Sequence, residues 1–221
     1  MKANRFFTTA IFSIIGVLAA AQPWMMRPQG PANEFSAMEG TSVLNYNLQM
    51  ERDIHSRAGY GPAFYIFPDS KLDNNQALEL AGKLDLINII KEYGGRIMVV
   101  NPSSDKWQEQ DLENFRRLIG MGGSPTNVKV IGIGSGATFV NRHLAATDMT
   151  GVIAGIVSID GEPGKICKLP VPAFIGGKNA TKTAKPYQAT SDAAPADPLQ
   201  KVVVNTDKKA SLETLFAEAW D

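Results

Sequence analysis

The fold is decided by one stretch of the chain, which reads Asn127-Val128-Lys129-Val130-Ile131-Gly132-Ile133-Gly134-Ser135-Gly136-Ala137-Thr138-Phe139. A run of β-branched residues leads into a glycine-rich turn with one serine, and a helix is predicted to follow. Gly134 and Gly136 flank Ser135, so backbone can approach the hydroxyl where a Cβ would obstruct it. The stretch therefore predicts a serine exposed on a sharp turn between a strand and a helix.

Short apolar strands alternate with helices along the chain, which predicts a mostly parallel sheet between two layers of helices. Strands are predicted at residues 63–67, 96–100, 128–133, 152–159, 172–175 and 201–205. Helices are predicted at residues 74–93, 111–119, 137–146 and 211–220. Residues 42–52 are expected to add antiparallel edge strands, and residues 179–198 to form a long surface excursion. The fold class is therefore α/β, a three-layer α/β/α sandwich with its site at the carboxyl ends of the strands.

The first 21 residues predict a secretory signal peptide. Lys2 and Arg5 precede an apolar stretch of about a dozen residues that ends at Ala19-Ala20-Ala21. This stretch is too short to span a bilayer comfortably, although an uncleaved signal anchor is the alternative. We expect the mature protein to begin at Gln22, to be secreted or periplasmic, and to have no stable membrane association. Residues 22–41 are predicted to be an irregular leader and residues 42–221 to be one domain.

Composition argues against several classes of partner and cofactor. The formal net charge is zero, so a nucleic-acid partner has no electrostatic support. Cys167 is the only cysteine, which excludes a disulfide framework. Two histidines and one cysteine leave no zinc cluster, and we predict neither a metal nor a cofactor.

The glycine-rich turn has a second interpretation as a dinucleotide-binding turn. Gly132, Gly134 and Ala137 match Gly-x-Gly-x-x-Ala, and Asp160 follows the next predicted strand, where an acid that binds ribose belongs. The turn, however, follows at least two strand–helix units instead of opening the fold. Export also takes the chain to a compartment where free nicotinamide cofactors are scarce. The serine turn is therefore the preferred interpretation.

In its element order and its Gly134-Ser135-Gly136 turn, the chain resembles the α/β-hydrolase superfamily, in particular exported esterases and depolymerase-like enzymes. The resemblance covers residues 45–221. It implies that Ser135 attacks the carbonyl of a small-molecule or polymer ester, and that backbone N–H groups of Gly136 and of Asp69 or Ser70 hold the oxyanion. The usual turn of the family is Gly-x-Ser-x-Gly, from which Ile133 at the first position departs.

The resemblance also implies a histidine base after the last strand, and the sequence supplies no suitable one. Its only histidines are His55 and His143. His143 lies eight positions after Ser135, about 12 Å along a helix axis, which is too far for a base. The catalytic acid is unassigned, because Asn179 stands where an aspartate is usual in the family. The remaining candidates for the acid are Asp160, Asp192 and Asp197.

Two explanations account for the missing base. The chain stops within the amphipathic helix at 211–220, which favours a serine hydrolase truncated before its histidine segment. The alternative is a non-catalytic binding module on the same fold.

We expect N-terminal sequencing of exported protein to give Gln22 or a close neighbour, because signal peptidase cleaves after small residues such as Ala19 and Ala21. A variant with leucine at both positions should accumulate as the precursor. Recovery of the chain with Met1 intact from a cytosolic fraction would contradict export.

Overall fold

The computed structural model describes residues 35–38, 41–47, 62–93, 96–121, 127–194 and 201–220. All of these residues lie in one compact unit, Pro31–Asp221. The predicted signal peptide lies outside the described residues and stays a prediction. His55 also lies outside them, so its unsuitability as a base stays a prediction too.

The strands of the described residues form a single sheet with the order β1-β2-β4-β3-β5-β6-β7-β8. Strands β3 to β8 pair in parallel, whereas β1 and β2 add an antiparallel edge next to β4. The mostly parallel sheet is thus confirmed, and its carboxyl ends share one edge. The strands are β1 (Phe35–Met38), β2 (Thr41–Asn47), β3 (Ala63–Phe67), β4 (Arg96–Val100), β5 (Val128–Ile133), β6 (Ile153–Ile159), β7 (Ala173–Gly176) and β8 (Val202–Asn205).

Helices connect these strands. Helix α4 (Ser135–Phe139) continues directly into a π-helical turn, Val140–Leu144. Asp85, with φ of 53°, separates α1 from α2, where the sequence predicted one continuous helix. A capping box between Asp73 and Gln76 begins α1. The helices are α1 (Asn74–Lys83), α2 (Leu86–Tyr93), α3 (Asp111–Met121), α4 (Ser135–Phe139), α5 (Ala180–Ala193) and α6 (Leu212–Trp220).

The core lies on both faces of the sheet, as strand β3 shows. All of its residues are buried, with Tyr65 and Phe67 on one face and Phe64 and Ile66 on the other. The first face packs against α3, α4 and α5, and the second against α1, α2 and α6. This arrangement confirms the three layers.

The surface excursion predicted for residues 179–198 is wrong, because most of this segment forms α5. Its buried residues are Ala180, Thr183, Ala184 and Tyr187, which are spaced as on one helix face. Small and polar side chains make up most of that face. A search for large apolar residues at helical spacing therefore does not detect the helix.

The irregular leader predicted for residues 22–41 is also wrong in part, because Phe35–Met38 forms β1. Met38 pairs with Thr41 of β2, so two residues separate the strands, as in the shortest β-hairpins.

We expect Phe115→Ala to lower the free energy of unfolding by about 3–5 kcal/mol. Phe115 is fully buried, and its ring packs edge-on against Tyr65 and Phe67 at centroid distances of 5.2 and 5.1 Å. The control is Ile166→Ala, at a side chain that is 52% exposed, with an expected change within about 0.5 kcal/mol. Urea unfolding measures both, and equal losses would contradict this description of the core.

Candidate functional site

The sharp turn between β5 and α4 centres on Gly134. Its φ of 57° and ψ of −118° are a combination that residues with a Cβ rarely adopt. Ser135 comes next, as the first residue of α4, and its side chain is exposed. The sequence predicts a turn centred on Ser135, but the strained position is Gly134, one residue earlier.

The glycines around this turn allow very close packing. A Cβ on Gly132 would lie 2.5 Å from Cα of Ala137, and a Cβ on Gly136 would collide with the carbonyl oxygen of Phe67. Gly132 and Gly136 are therefore the outer glycines of the Gly-x-Ser-x-Gly pattern. Gly134 occupies the place of the serine in that pattern. The departure assigned to Ile133 disappears, because the first small position is Gly132.

The carboxylate of Asp69 fills the space where a side chain at position 134 would begin. A Cβ built on Gly134 would collide with Oδ1 of Asp69 and would lie 2.6 Å from its Cγ. Oδ1 of Asp69 accepts a hydrogen bond of 2.6 Å from the backbone N–H of Ser135. The Ser135 hydroxyl donates to the carbonyl oxygen of Asp69. The loop after β3 and the turn after β5 are thus joined by these two hydrogen bonds.

This geometry bears on the predicted oxyanion donors, Gly136 and Asp69. In the family pattern one donor is the N–H of the residue after the nucleophile. With the turn centred on Gly134, that residue is Ser135, and its N–H already binds the Asp69 carboxylate. Gly136 is buried as the second residue of α4. An internal carboxylate therefore lies where a bound oxyanion would be expected.

His143, the one histidine among the described residues, lies on the π-helical turn. Its ring stacks on Phe139 with a centroid distance of 5.5 Å. Phe139 in turn stacks on Trp107 at 4.9 Å, and Nε1 of Trp107 donates a 2.9 Å hydrogen bond to the carbonyl oxygen of Pro68. These contacts make Trp107 a packing anchor for the loop that carries Asp69. They give His143 a packing contact and no link to Ser135.

The loop that should carry the catalytic histidine lies within the described residues. The resemblance places that histidine after the last strand of the sheet, which is β8. The loop from β8 to α6 reads Thr206-Asp207-Lys208-Lys209-Ala210-Ser211 and contains no histidine. The loop from β8 to α6 therefore supplies no histidine base, and the truncation of the chain stays a prediction.

Asp160 lies next to the turn and joins two further loops. The N–H of Gly134 donates to the carbonyl oxygen of Ile159, the residue before Asp160, at 2.8 Å. Asp160 has a φ of 56°, and its Oδ1 accepts a 3.0 Å hydrogen bond from the N–H of Lys178. Among the other candidate acids, Asp192 lies near the end of α5 and Asp197 lies outside the described residues.

A hydrogen-bond network that was not predicted from the sequence attaches α5 to the loop after β6, and its Tyr187–Asn141 bond is buried. Tyr187 donates its hydroxyl proton to Oδ1 of Asn141 at 2.9 Å, and Nδ2 of Asn141 donates to the carbonyl oxygen of Glu162 at 2.9 Å. Asn179, which stands where an acid is usual, donates to Oε1 of Glu162 at 3.0 Å. Burial raises the pKa of the Tyr187 phenol well above its usual value, so this group stays a neutral donor.

The same geometry disfavours a dinucleotide at Gly132, Gly134 and Ala137. A pyrophosphate binds at the N–H groups that begin the helix after such a turn. Here the N–H of Ser135 already binds the Asp69 carboxylate, whose negative charge would repel a phosphate. The carboxylate of Asp160 is likewise bound to the backbone of the neighbouring loop.

Neither a metal cluster nor a membrane span is found in the described part of the chain. No group of three or more histidine, cysteine, aspartate or glutamate residues there is placed to hold a metal ion. Among the described helices, none is long and apolar enough to cross a membrane.

Comparison with known proteins identifies the fold. No protein-family model matches the chain, and no curated protein matches it. Among solved structures, MGS-M1, an α/β hydrolase enzyme from a Medee basin deep-sea metagenome library, is 13% identical with a TM-score of 0.50, covering 72% of this chain and 77% of that one. An esterase is 11% identical with a TM-score of 0.50, covering 99% of this chain and 85% of its own. The chain therefore has the α/β-hydrolase fold.

We expect Gly134→Ala to destabilise the protein by about 1–3 kcal/mol from backbone strain, and further through the collision with Asp69. In an Asp69→Ala background, Gly134→Ala should lower the free energy of unfolding by less than it does in wild type. The difference is a coupling free energy of about 0.5–3 kcal/mol between the two sites.

The control for this cycle is Gly151→Ala. Gly151 also has a positive φ, 82°, but a Cβ there would meet no atom within 4 Å. Its cost should be the same with and without Asp69→Ala. Urea unfolding of the single and double variants supplies the free energies, and additivity at position 134 would contradict the contact.

Proposed function

We propose that this chain is a non-catalytic binding module on the α/β-hydrolase fold, with a binding surface for ester-type ligands at the carboxyl edge of the sheet. The observation that carries the proposal is Gly134. The residue at the strained turn has no side chain, so it supplies no nucleophile.

The position of Asp69 supports the same proposal. Its carboxylate binds the N–H that would otherwise be free to hold the oxyanion of a tetrahedral intermediate. A negative charge at this place opposes the development of a second one. The transition state of ester hydrolysis would therefore be destabilised at this site.

The described contacts of His143 give further support. General-base assistance contributes about 10² to 10⁴ to the rate of such reactions. The ring of His143 packs on Phe139, and the loop from β8 to α6 has no histidine. Among the described residues, no imidazole is therefore placed to act as a general base for a hydroxyl near the turn.

Ester-type ligands are the class we propose because the chain shares its fold with MGS-M1, an α/β hydrolase enzyme, and with an esterase. The binding surface would include the exposed hydroxyl of Ser135, which can donate to an ester carbonyl, and the neighbouring backbone at Asp160. We also propose that the chain is exported through residues 1–21 and acts in a secreted or periplasmic location.

The second candidate function is ester hydrolysis by Ser135. It is favoured by one observation, the exposed Ser135 hydroxyl at the start of α4, next to the turn. In this alternative the hydroxyl would leave its hydrogen bond to the carbonyl oxygen of Asp69 and attack an ester carbonyl without a described base. Only slow turnover of activated esters is then expected.

We expect a fluorophosphonate probe to leave the protein unlabelled, and p-nitrophenyl acetate to be hydrolysed no faster by wild type than by Ser135→Ala. The reason is that neither Gly134 nor Ser135 is an activated nucleophile. The matched control is Ser104→Ala, at an exposed serine of another loop. Labelling or turnover that is lost in Ser135→Ala and kept in Ser104→Ala would establish the second candidate instead.

Ligand binding by the wild-type protein can be measured separately from hydrolysis. Titration with ethyl butyrate should shift the backbone amide resonances of Ser135 and Asp160 in an NMR spectrum, because both lie at the proposed surface. Amides of α1, on one side of the sheet, serve as the internal control. An unchanged spectrum would contradict ester binding.

A further inference from the structure

A cavity of about 280 Å³ lies towards the amino ends of strands β5 to β8, away from the Gly134 turn. The last turn of α6 contributes one side of it. Its walls are largely apolar and include Ile156, Phe174, Val203 and Ala219. Two lysines line this space, Lys129 of β5 and Lys201 directly before β8.

An irregularity in the sheet fixes the position of Lys129. Val128 pairs with Ile153, but Lys129 pairs with Gly155, so Ala154 is an extra residue in β6. Nζ of Lys129 donates a 3.1 Å hydrogen bond to the carbonyl oxygen of Ala154. A Cβ on Gly155 would lie 3.2 Å from Cδ and 3.4 Å from Nζ of Lys129. Glycine at this position therefore leaves room for the lysine to lie across β6.

The ammonium of Lys129 lacks a carboxylate partner among the described residues, where ion pairs join Glu79 to Lys83 and Glu113 to Arg116. An ammonium has three donors, and the one described bond here is to Ala154. Burial lowers the pKa of Lys129, because the charged form is poorly solvated in the cavity. An anion bound beside Nζ would offset this cost.

The other charged groups at the cavity define the charge of the ligand. Lys201 and Glu218 also line it, so the three groups together carry a single excess positive charge. The Glu218 carboxylate accepts a 2.6 Å hydrogen bond from Nδ2 of Asn205 and does not neutralise Lys129. A monoanion matches this balance better than a phosphate or another multiply charged group.

We propose that the cavity binds a small amphiphilic monocarboxylate, with its carboxylate on the Lys129 ammonium and its alkyl chain against Phe174 and Val203. The volume is near the lower end of the range for small-molecule sites, about 300–1,000 Å³, so the alkyl chain is short. The proposal is independent of the carboxyl edge and of the function proposed there. In the alternative, Lys129 serves only to satisfy the Ala154 carbonyl.

The test compares hexanoate with hexanol, which has the same alkyl chain and no charge. Calorimetry should show hexanoate binding to wild type and to Lys182→Met, a control at an exposed lysine of α5. Lys129→Met should weaken hexanoate binding by about tenfold or more and leave any hexanol binding unchanged. Failure of wild type to bind hexanoate, or equal binding by Lys129→Met, would overturn the proposal.

Circular dichroism establishes whether Lys129→Met folds, since it loses the bond to Ala154. If it does not fold, wild type decides the question through the ¹³Cε resonance of Lys129. Hexanoate should shift this resonance and hexanol should not. A resonance that does not respond to hexanoate would refute the proposal.

Discussion

The close approach of the β3 and β5 loops is the constraint on which the site depends. Gly136 allows the start of α4 to lie against the Phe67 carbonyl, and Asp69 then reaches the N–H of Ser135. Trp107 holds the same loop through its hydrogen bond to the carbonyl oxygen of Pro68. These contacts share one loop, so a shift of that loop would separate the Asp69 carboxylate from the start of α4.

Much of the fold was predictable from local sequence, because its parallel strands are short apolar runs with clear ends. Residues 63–67 and 128–133 were predicted with the bounds that the structure gives them. Helix α5 was missed because its buried face uses Ala180, Thr183 and Ala184, whose burial depends on partners distant in sequence. Asn141 is one such partner, and its bond to Tyr187 spans 46 residues.

The site was predicted less well, because its chemistry depends on one backbone conformation. The sequence located the turn correctly but centred it on the only hydroxyl available. The spacing of Gly132 and Gly136 was the signal that would have placed the centre at Gly134. The occupation of that space by Asp69, from a loop 65 residues earlier in the numbering, has no local signature. It follows only from the pairing of β3 with β5.

The contact between Asp69 and Gly134 also limits the order in which this sequence can change. A serine introduced alone at position 134 would meet the Asp69 carboxylate before it met any substrate. Loss of Asp69 must come first or at the same time, and alone it leaves the N–H of Ser135 without its described acceptor. A path of single substitutions that places a hydroxyl at this turn therefore passes through a less stable intermediate. The glycine at position 134 is therefore hard to replace by serine in a single step.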